Sequence, residues 1–342
     1  MRIVVAEARV PFARDGAELH AQSLLAQLRM RGHDAESVAL PFDRRKDTLL
    51  EQACAWRMLN LSSSNARATD LLIATRFPTW CARHPHKVVW LIHQHRPAYD
   101  LFGTSYSDFT DTDADARLRR EIAALDSRMF AECERIVTNA KNTAERLQRF
   151  NGIIARPLYH PPPLADRLRF GAYGDYVLVV ARLEPLKRID LVIRAMASVA
   201  SPIRLVIVGE GSQRGTLERE ATDAGIMHRV TFAGPLWGDP VADLYADALG
   251  VVYVPFDEDY GYVTLEAFLA AKPVITTTDA GGPLEFVRDG INGLVCEPVA
   301  ATVGTAINTL AADRSLAERL GRAGRSAAEA VTWDGVIEQL LG

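Results

Sequence analysis

The run Tyr176-Val177-Leu178-Val179-Val180-Ala181 has no polar face. A strand that is apolar on both sides must be covered on both sides, which a parallel sheet flanked by helices provides. Lys87-Val88-Val89-Trp90-Leu91-Ile92 is another run of this buried type. Segments with apolar residues at helical spacing lie between such runs, so the pattern predicts an α/β chain of two doubly wound layers. In the first half, strands are expected at Arg2 to Ala6, Leu71 to Thr75, Lys87 to His93 and Arg135 to Thr138. Helices are expected at Ala17 to Arg31, Ala114 to Cys133 and from Asn142. The second half restarts at Tyr176, with strands at Ile203 to Gly209, Arg229 to Ala233, Gly250 to Val254 and Pro273 to Thr276, and a helix from Trp333 to Leu341. Between the halves, Pro157 and Pro161 to Pro163 break regular structure, because proline lacks an amide donor and blocks helical backbone. The expected division is a first domain at 1–160, a Pro-rich linker or hinge at 161–172, a second domain at 173–328 and a C-terminal helix at 329–342.

At 342 residues, 48% hydrophobic and 24% charged, the chain can bury the cores of about two domains. The sequence begins directly with a strand, and no apolar run reaches the ~18–20 residues of a membrane span. Cytoplasmic residence follows as an expectation, with the inner face of the cytoplasmic membrane as one setting. Cys54, Cys81, Cys133 and Cys296 are scattered without a C-x-x-C pair, a pattern of reduced thiols that offers no zinc site. Charge is uneven: net +4 over residues 1–160 and −8 over 161–342. Arg44-Arg45-Lys46, Arg117 with Arg119 and Arg120, and Arg146 with Arg149 are either solvated faces or a contact for anionic lipid head groups or a polyprenyl diphosphate. No cluster carries the interleaved aromatics of a single-stranded nucleic-acid surface.

Chemistry concentrates in the second half. Val251 to Val274 reads as strand, loop and helix, with Glu258 in the loop and Glu266 in the helix. Gly261 lets backbone approach a ligand, and first-turn amides attract an anion. Two carboxylates there would repel bare phosphate, yet accept hydrogen bonds from neighbouring hydroxyls. A ligand carrying both phosphates and hydroxyls, such as a nucleotide sugar, satisfies both conditions; a solvated acidic loop is the plain alternative. Directly after the apolar strand at Tyr176 come Arg182 and Lys187, at the strand end where open α/β sheets bind ligands. Arg182 offers a rigid fork for phosphate oxygens and Lys187 a mobile point charge.

Arg182 with Lys187, the phrase Val208-Gly209-Glu210-Gly211, the Glu258 to Glu266 pair, and Asp279-Ala280-Gly281-Gly282-Pro283 with Glu285 together resemble glycosyltransferase family 4. Its members are retaining enzymes of the GT-B fold, in which two Rossmann-like domains face each other across a cleft. The resemblance covers the C-terminal half in order and spacing, and is looser in the N-terminal half. It implies that Arg182 and Lys187 hold the diphosphate, that Glu258 binds hydroxyls of the transferred sugar, and that Glu266 binds the ribose. Amides of Tyr260, Gly261, Tyr262 and Val263 would contact sugar or phosphates. Gly209, Glu210 and Gly211 would shape the nucleotide pocket, although both glycines also suit a plain tight turn. Gly234 and Leu236 would approach the base, and the last helix would pack back on the first domain.

His93, at the end of its strand, resembles the histidine of the family's acceptor side; Gln94 and His95 are open as substitutes. In the first loop only Gly16 stands where the family carries two glycines. Asp15 fills the other position, as a helix cap or as an acceptor contact. Asp111-Thr112-Asp113 looks like a metal-binding DxD but reads as loop and cap, and with two cations in place no metal or other cofactor is required. The resulting expectation is a retaining, metal-independent hexosyltransferase. It would move a sugar from a nucleotide-diphosphate donor to a lipid-linked or saccharide acceptor in envelope, capsular or exopolysaccharide assembly, with no nucleic-acid partner. The alternatives are a nucleotide-sugar epimerase of the same fold and a non-catalytic nucleotide-sugar-binding protein.

Overall fold

The computed structural model describes residues 1–12, 16–200 and 202–342; Asp15 lies outside them. The chain divides into two compact units, Met1–His160 with Trp333–Gly342, and Pro161–Thr332.

The first unit is built on six parallel strands: β1 (Arg2–Arg9), β2 (Asp34–Pro41), β3 (Leu71–Ala74), β4 (Lys87–Leu91), β5 (Arg135–Thr138) and β6 (Arg156–Pro157), in the order β2-β1-β3-β4-β5-β6. Side chains alternate across the pleat, which separates two apolar layers. Leu72, Ala74, Val89 and Leu91 pack with Trp80, Ile122 and Leu147 on one side. Ile3, Val5, Ile73 and Trp90 pack with Leu24 and Leu28 on the other, where Val336, Ile337 and Leu340 join them. The last three project from the C-terminal helix Trp333–Leu341, which is therefore part of the first unit's core. The side chain of Arg135 donates to the Leu340 carbonyl (3.1 Å), and Arg31 pairs with Asp334.

The second unit repeats the plan with β7 (Tyr176–Val180), β8 (Arg204–Val208), β9 (Val230–Gly234), β10 (Gly250–Val252), β11 (Val274–Thr277) and β12 (Gly293–Cys296), all parallel, in the order β9-β8-β7-β10-β11-β12. From β7 the chain steps outward to β8 and β9, then returns to lay β10 against the opposite side of β7. The loops after β7 and β10 therefore diverge at one point of the carboxyl edge, where sheets of this kind leave a crevice for ligands.

Several expectations need correction. Strand β2 carries polar residues along much of its length and lies at an edge, half exposed, so it leaves no continuous apolar run to read. Pro157 does not end regular structure: Arg156–Pro157 pairs with Val137 and Thr138 as the outermost strand, where a missing amide costs no ladder bond. Residues 161–172 are not a separate linker but belong to the second unit, as do residues 329–332. The Ala172 amide reaches Asp247 (3.2 Å), the Lys272 ammonium reaches the Ala172 carbonyl (2.6 Å), and a Cβ at Gly171 would stand 2.6 Å from the Ala246 carbonyl oxygen.

Leu340 is fully buried against the first sheet. Leu340→Ala is expected to cost the first unit about 2–5 kcal/mol. Hydrogen exchange should register this as faster exchange across β1 and β3 with little change in the second sheet.

Candidate active site

The site is assembled on loops that leave the carboxyl ends of the second sheet. The loop after β7 carries Arg182 and Lys187, that after β8 carries Gly209, Glu210 and Gly211, and β9 ends at Gly234, just before Leu236. The loop after β10 carries Glu258, Tyr260 and Gly261, and leads into the helix Tyr262–Leu269, which holds Val263 and Glu266. All these residues lie in one unit and on one sheet edge, and they follow four different strands.

Close backbone approach dictates the glycines. Gly209 has φ +134°, and a Cβ there would fall 1.8 Å from the Ala181 carbonyl oxygen; one on Gly211 would fall 2.5 Å from that of Leu183. The Leu183 amide donates to the Glu210 carbonyl (3.0 Å), while the Glu210 side chain is exposed. These glycines thus seat the loop that carries Arg182, a structural role compatible with bordering a pocket. On the other side, Glu258 exchanges backbone bonds with the loop after β11, donating to Ala280 and accepting from Gly282, both 2.8 Å. A Cβ on Gly282 would meet the Asp259 carbonyl oxygen at 2.5 Å.

Across the divergence of β7 and β10, the Lys187 ammonium donates to the Glu258 carboxylate. Both side chains are mostly buried, at 15% and 18% exposure. Opposite charges in so little water attract strongly, and their contact joins the two loops that the topology sets side by side. Tyr253, buried beneath them, hydrogen-bonds Glu258, and with its burial this holds its phenol well above the ordinary tyrosine range. Deeper in the unit, the buried Tyr245 hydroxyl donates to Glu266 (2.7 Å). Burial pushes the Glu266 carboxyl up to about 7, against the opposing pull of that hydrogen bond. Gly261, in a left-handed conformation, caps the start of the helix Tyr262–Leu269; having no side chain, it covers none of the first-turn amides, which include those of Tyr262 and Val263. The Tyr260 ring is buried between Tyr262 and Phe286 (centroids 5.6 Å each).

Arg182 is exposed on its loop, and no hydrogen bond or ion pair among the described residues engages its side chain. The sequence reading missed Arg188, which follows Lys187 directly and binds Asp279 with two nitrogens (2.7 Å each). Adjacent to a candidate cation, it reads as one more helix-start charge. Tyr253 and Tyr245 were also missed. A lone tyrosine in the apolar Val251–Val254 run was the available signal for the first, and nothing local marks the second.

In the first unit, His93 follows β4 and is partly exposed; its Nδ1 donates to the Gln94 carbonyl (2.6 Å). His95 does not line the surface. It is buried among Phe42, Phe77 and Phe109, and desolvation lowers its pKa to about 3. Gln94 is buried too and donates to Asn151 (3.1 Å). Gly16 opens α1 (Gly16–Met30) and is exposed. Thr112 caps the helix Asp113–Phe130 through the Asp115 amide (3.3 Å). Much of the basic surface expected to meet lipid is spent internally: Arg146 is buried beside Asp100 (3.5 Å), Lys46 pairs with Asp115 (2.8 Å), and Arg119 lies over the Phe102 ring. Among the described residues, no group of three or more His, Cys, Asp or Glu side chains is placed to hold a metal ion, and no helix is long and apolar enough to cross a membrane.

Residues 168–327 match the family described as "Glycosyl transferases group 1". That matched stretch contains every candidate site residue except His93 and Gly16. The chain is 28% identical over 277 residues to a D-inositol 3-phosphate glycosyltransferase of Nocardia farcinica, an alignment covering 74% of this chain and 61% of that relative. The chain thus spans about three fifths of the length of the curated relative it matches. Among solved structures, the sucrose-phosphate synthase of Thermosynechococcus elongatus superposes with a TM-score of 0.80 at 18% identity, covering 99% of this chain and 97% of that one. HepE of Anabaena, in complex with UDP-glucose, gives 0.73 at 18% identity, covering 98% of each. The fold of this chain is GT-B, with two Rossmann-like parallel-sheet domains.

The pH dependence of stability tests the surroundings of Glu266. A carboxyl whose folded pKa lies above its unfolded value stabilises the fold below the unfolded pKa and loses that contribution as pH rises through the folded one. With the folded value about 7, the wild-type second unit is expected to lose stability relative to Glu266→Gln between about pH 5 and pH 8, followed by urea denaturation at each pH. Parallel curves for the two proteins would refute the assignment.

Proposed function

We propose that this protein transfers a hexosyl unit from a nucleoside-diphosphate sugar to a lipid-linked or oligosaccharide acceptor, with retention of anomeric configuration and without a metal ion. The observation that carries the reading is the meeting of Lys187 and Glu258 at the divergence of β7 and β10. A cation there suits a departing diphosphate, and a carboxylate beside it suits sugar hydroxyls. The match to the group 1 family and the structural likeness to HepE, solved in complex with UDP-glucose, support a nucleotide-sugar donor.

In this mechanism the donor displaces the Lys187–Glu258 contact. Lys187 turns to the diphosphate with Arg182 beside it, and charge developing on the leaving phosphate strengthens both contacts, which lowers the barrier. Glu258, released, accepts hydrogen bonds from hydroxyls of the transferred sugar. Amides at the start of the helix Tyr262–Leu269 face the phosphates or the sugar, Glu266 holds the ribose, and Gly209 to Gly211 border the nucleotide, with Gly234 and Leu236 toward the base. No side chain is assigned as a nucleophile; the departing diphosphate and an oxocarbenium-like carbon carry the reaction. For the acceptor our reading takes the first unit, with His93 as the residue that would position it. Assembly of envelope or capsular polysaccharide on the cytoplasmic side of a membrane is the setting we infer.

A thermal-shift screen of nucleotide sugars identifies the donor, since a ligand at 100 times its Kd stabilises the fold by about 2.7 kcal/mol. With that donor, Lys187→Ala is expected to lower kcat by roughly 10²–10³-fold; the variant is less stable, because Glu258 loses its cation, but stays folded at the assay temperature. Turnover near the wild-type rate would end the diphosphate assignment. Glu258→Gln leaves Lys187 without its anionic partner, so calorimetry should find the free nucleoside diphosphate bound at least as tightly as by wild type, while sugar transfer falls. A new sugar isomer formed without acceptor would indicate an epimerase instead, and donor binding without transfer or hydrolysis a non-catalytic binding protein.

A further inference from the structure

At the carboxyl edge of the second sheet the Arg188 side chain bonds to four residues, and none of the roles described above uses it. Its backbone is left-handed, with φ 48° and ψ 42°, a conformation that favours glycine and that arginine adopts only where its surroundings hold it. The side chain supplies the reason. Nε donates to the Val254 carbonyl (2.8 Å), and Nη2 reaches the Pro255 carbonyl (2.8 Å) and the Thr277 hydroxyl (2.9 Å). Nη1 and Nη2 together grip both oxygens of Asp279 (2.7 Å each). One guanidinium therefore binds two carbonyls of the loop that leads from β10 to Glu258, the end of β11 and the loop beyond it. The group is mostly buried, at 12% exposure, where charge-assisted bonds are strong. It shares a peptide bond with Lys187, so the diphosphate cation and the loop of the sugar-binding carboxylate are tied to the same point.

We propose that Arg188 is a positioning residue that sets the spacing between the phosphate end and the sugar end of the donor site. The proposal rests on the nucleotide-sugar reading of that site. The left-handed turn aims Lys187 toward the divergence of β7 and β10, and the guanidinium fork fixes how far the Glu258 loop stands from it. A lysine cannot replace it: a single ammonium has three donors and no planar fork to span two carbonyls, a hydroxyl and a bidentate carboxylate. Losing the clamp should loosen recognition of the hexose while sparing recognition of the diphosphate, which Lys187 and Arg182 would still hold.

Arg188→Gly is the informative variant, because glycine accepts the left-handed backbone without strain while the fork is lost; Arg188→Lys keeps the charge alone. Both are compared with wild type by calorimetry with UDP, GDP and ADP and with their glucose and mannose conjugates, and by hydrogen exchange on the ligand-free protein. In both variants the hexose conjugates are expected to bind about tenfold or more weakly, the equivalent of one charge-assisted hydrogen bond, with the free diphosphate within about threefold of wild type. Amides 256–258 and 280–282 should exchange faster while the sheet core keeps its protection. Equal loss of diphosphate and conjugate binding with general loss of protection would make Arg188 a merely structural residue and overturn the proposal. Unchanged conjugate binding and exchange would overturn it as well. Failure of the wild-type protein to bind any of these ligands would instead remove the donor-site reading itself, and the proposal with it.

Discussion

The contact between Lys187 and Glu258 organises the second unit's functional edge. These residues follow strands that are neighbours in the sheet but are separated in the chain by β8 and β9. Because the chain returns to β7 before laying down β10, the loops that leave these two strands diverge, and charged side chains can meet in the gap. Little water reaches the pair, so each charge needs the other, or a ligand that takes its place. A site with this property is poised: a phosphate offers Lys187 a second anion, and hydroxyls offer Glu258 new donors, so exchanging partners need not leave a buried charge alone.

Backbone proximity keeps that edge in register. The loops after β7 and β8 touch through Gly209 and Gly211, and those after β10 and β11 are joined by the Glu258, Ala280 and Gly282 bonds. Each pair of loops therefore behaves as a unit, with Arg188 spanning between them. The tyrosines add a second layer beneath. Tyr253 and Tyr245 each give a hydroxyl to one glutamate, and a buried phenol that donates to a carboxylate restricts its rotamers at little entropic cost, having few torsions of its own.

The first unit uses polarity differently. His95, Gln94, Arg146 and Asp126 are buried and committed to the core; Asp126 accepts from Trp80 (2.8 Å) and Tyr99 (2.6 Å). Its carboxyl is pushed up to about 7 by burial. Such residues look like surface or site chemistry in a linear sequence. Their burial narrows the candidates on this unit to the end of β4, where His93 is partly exposed, and to the start of α1 at Gly16.

The sequence alone determined the class of fold and the side chains at strand ends. Apolar runs such as Tyr176–Ala181 report burial on both faces, and that information is local, so strands β7, β8, β10 and β11 were legible to within a few residues. So was the helix Trp333–Leu341. Three of the four edge strands were not: β2, β6 and β12 bury one side or are too short to leave a periodic signature, whereas β9, the fourth, was expected at Arg229 to Ala233. Nor did any local pattern distinguish Arg188 from a surface charge or His95 from a ligand-facing one. Those assignments depend on which loops become neighbours, and strand order across a sheet is set by crossovers tens of residues long. Arg182, Lys187, Glu258 and Glu266 could be read from the chain as chemistry. Only the tertiary structure decided that Lys187 and Glu258 face each other, because a charge finds its partner through space rather than along the sequence.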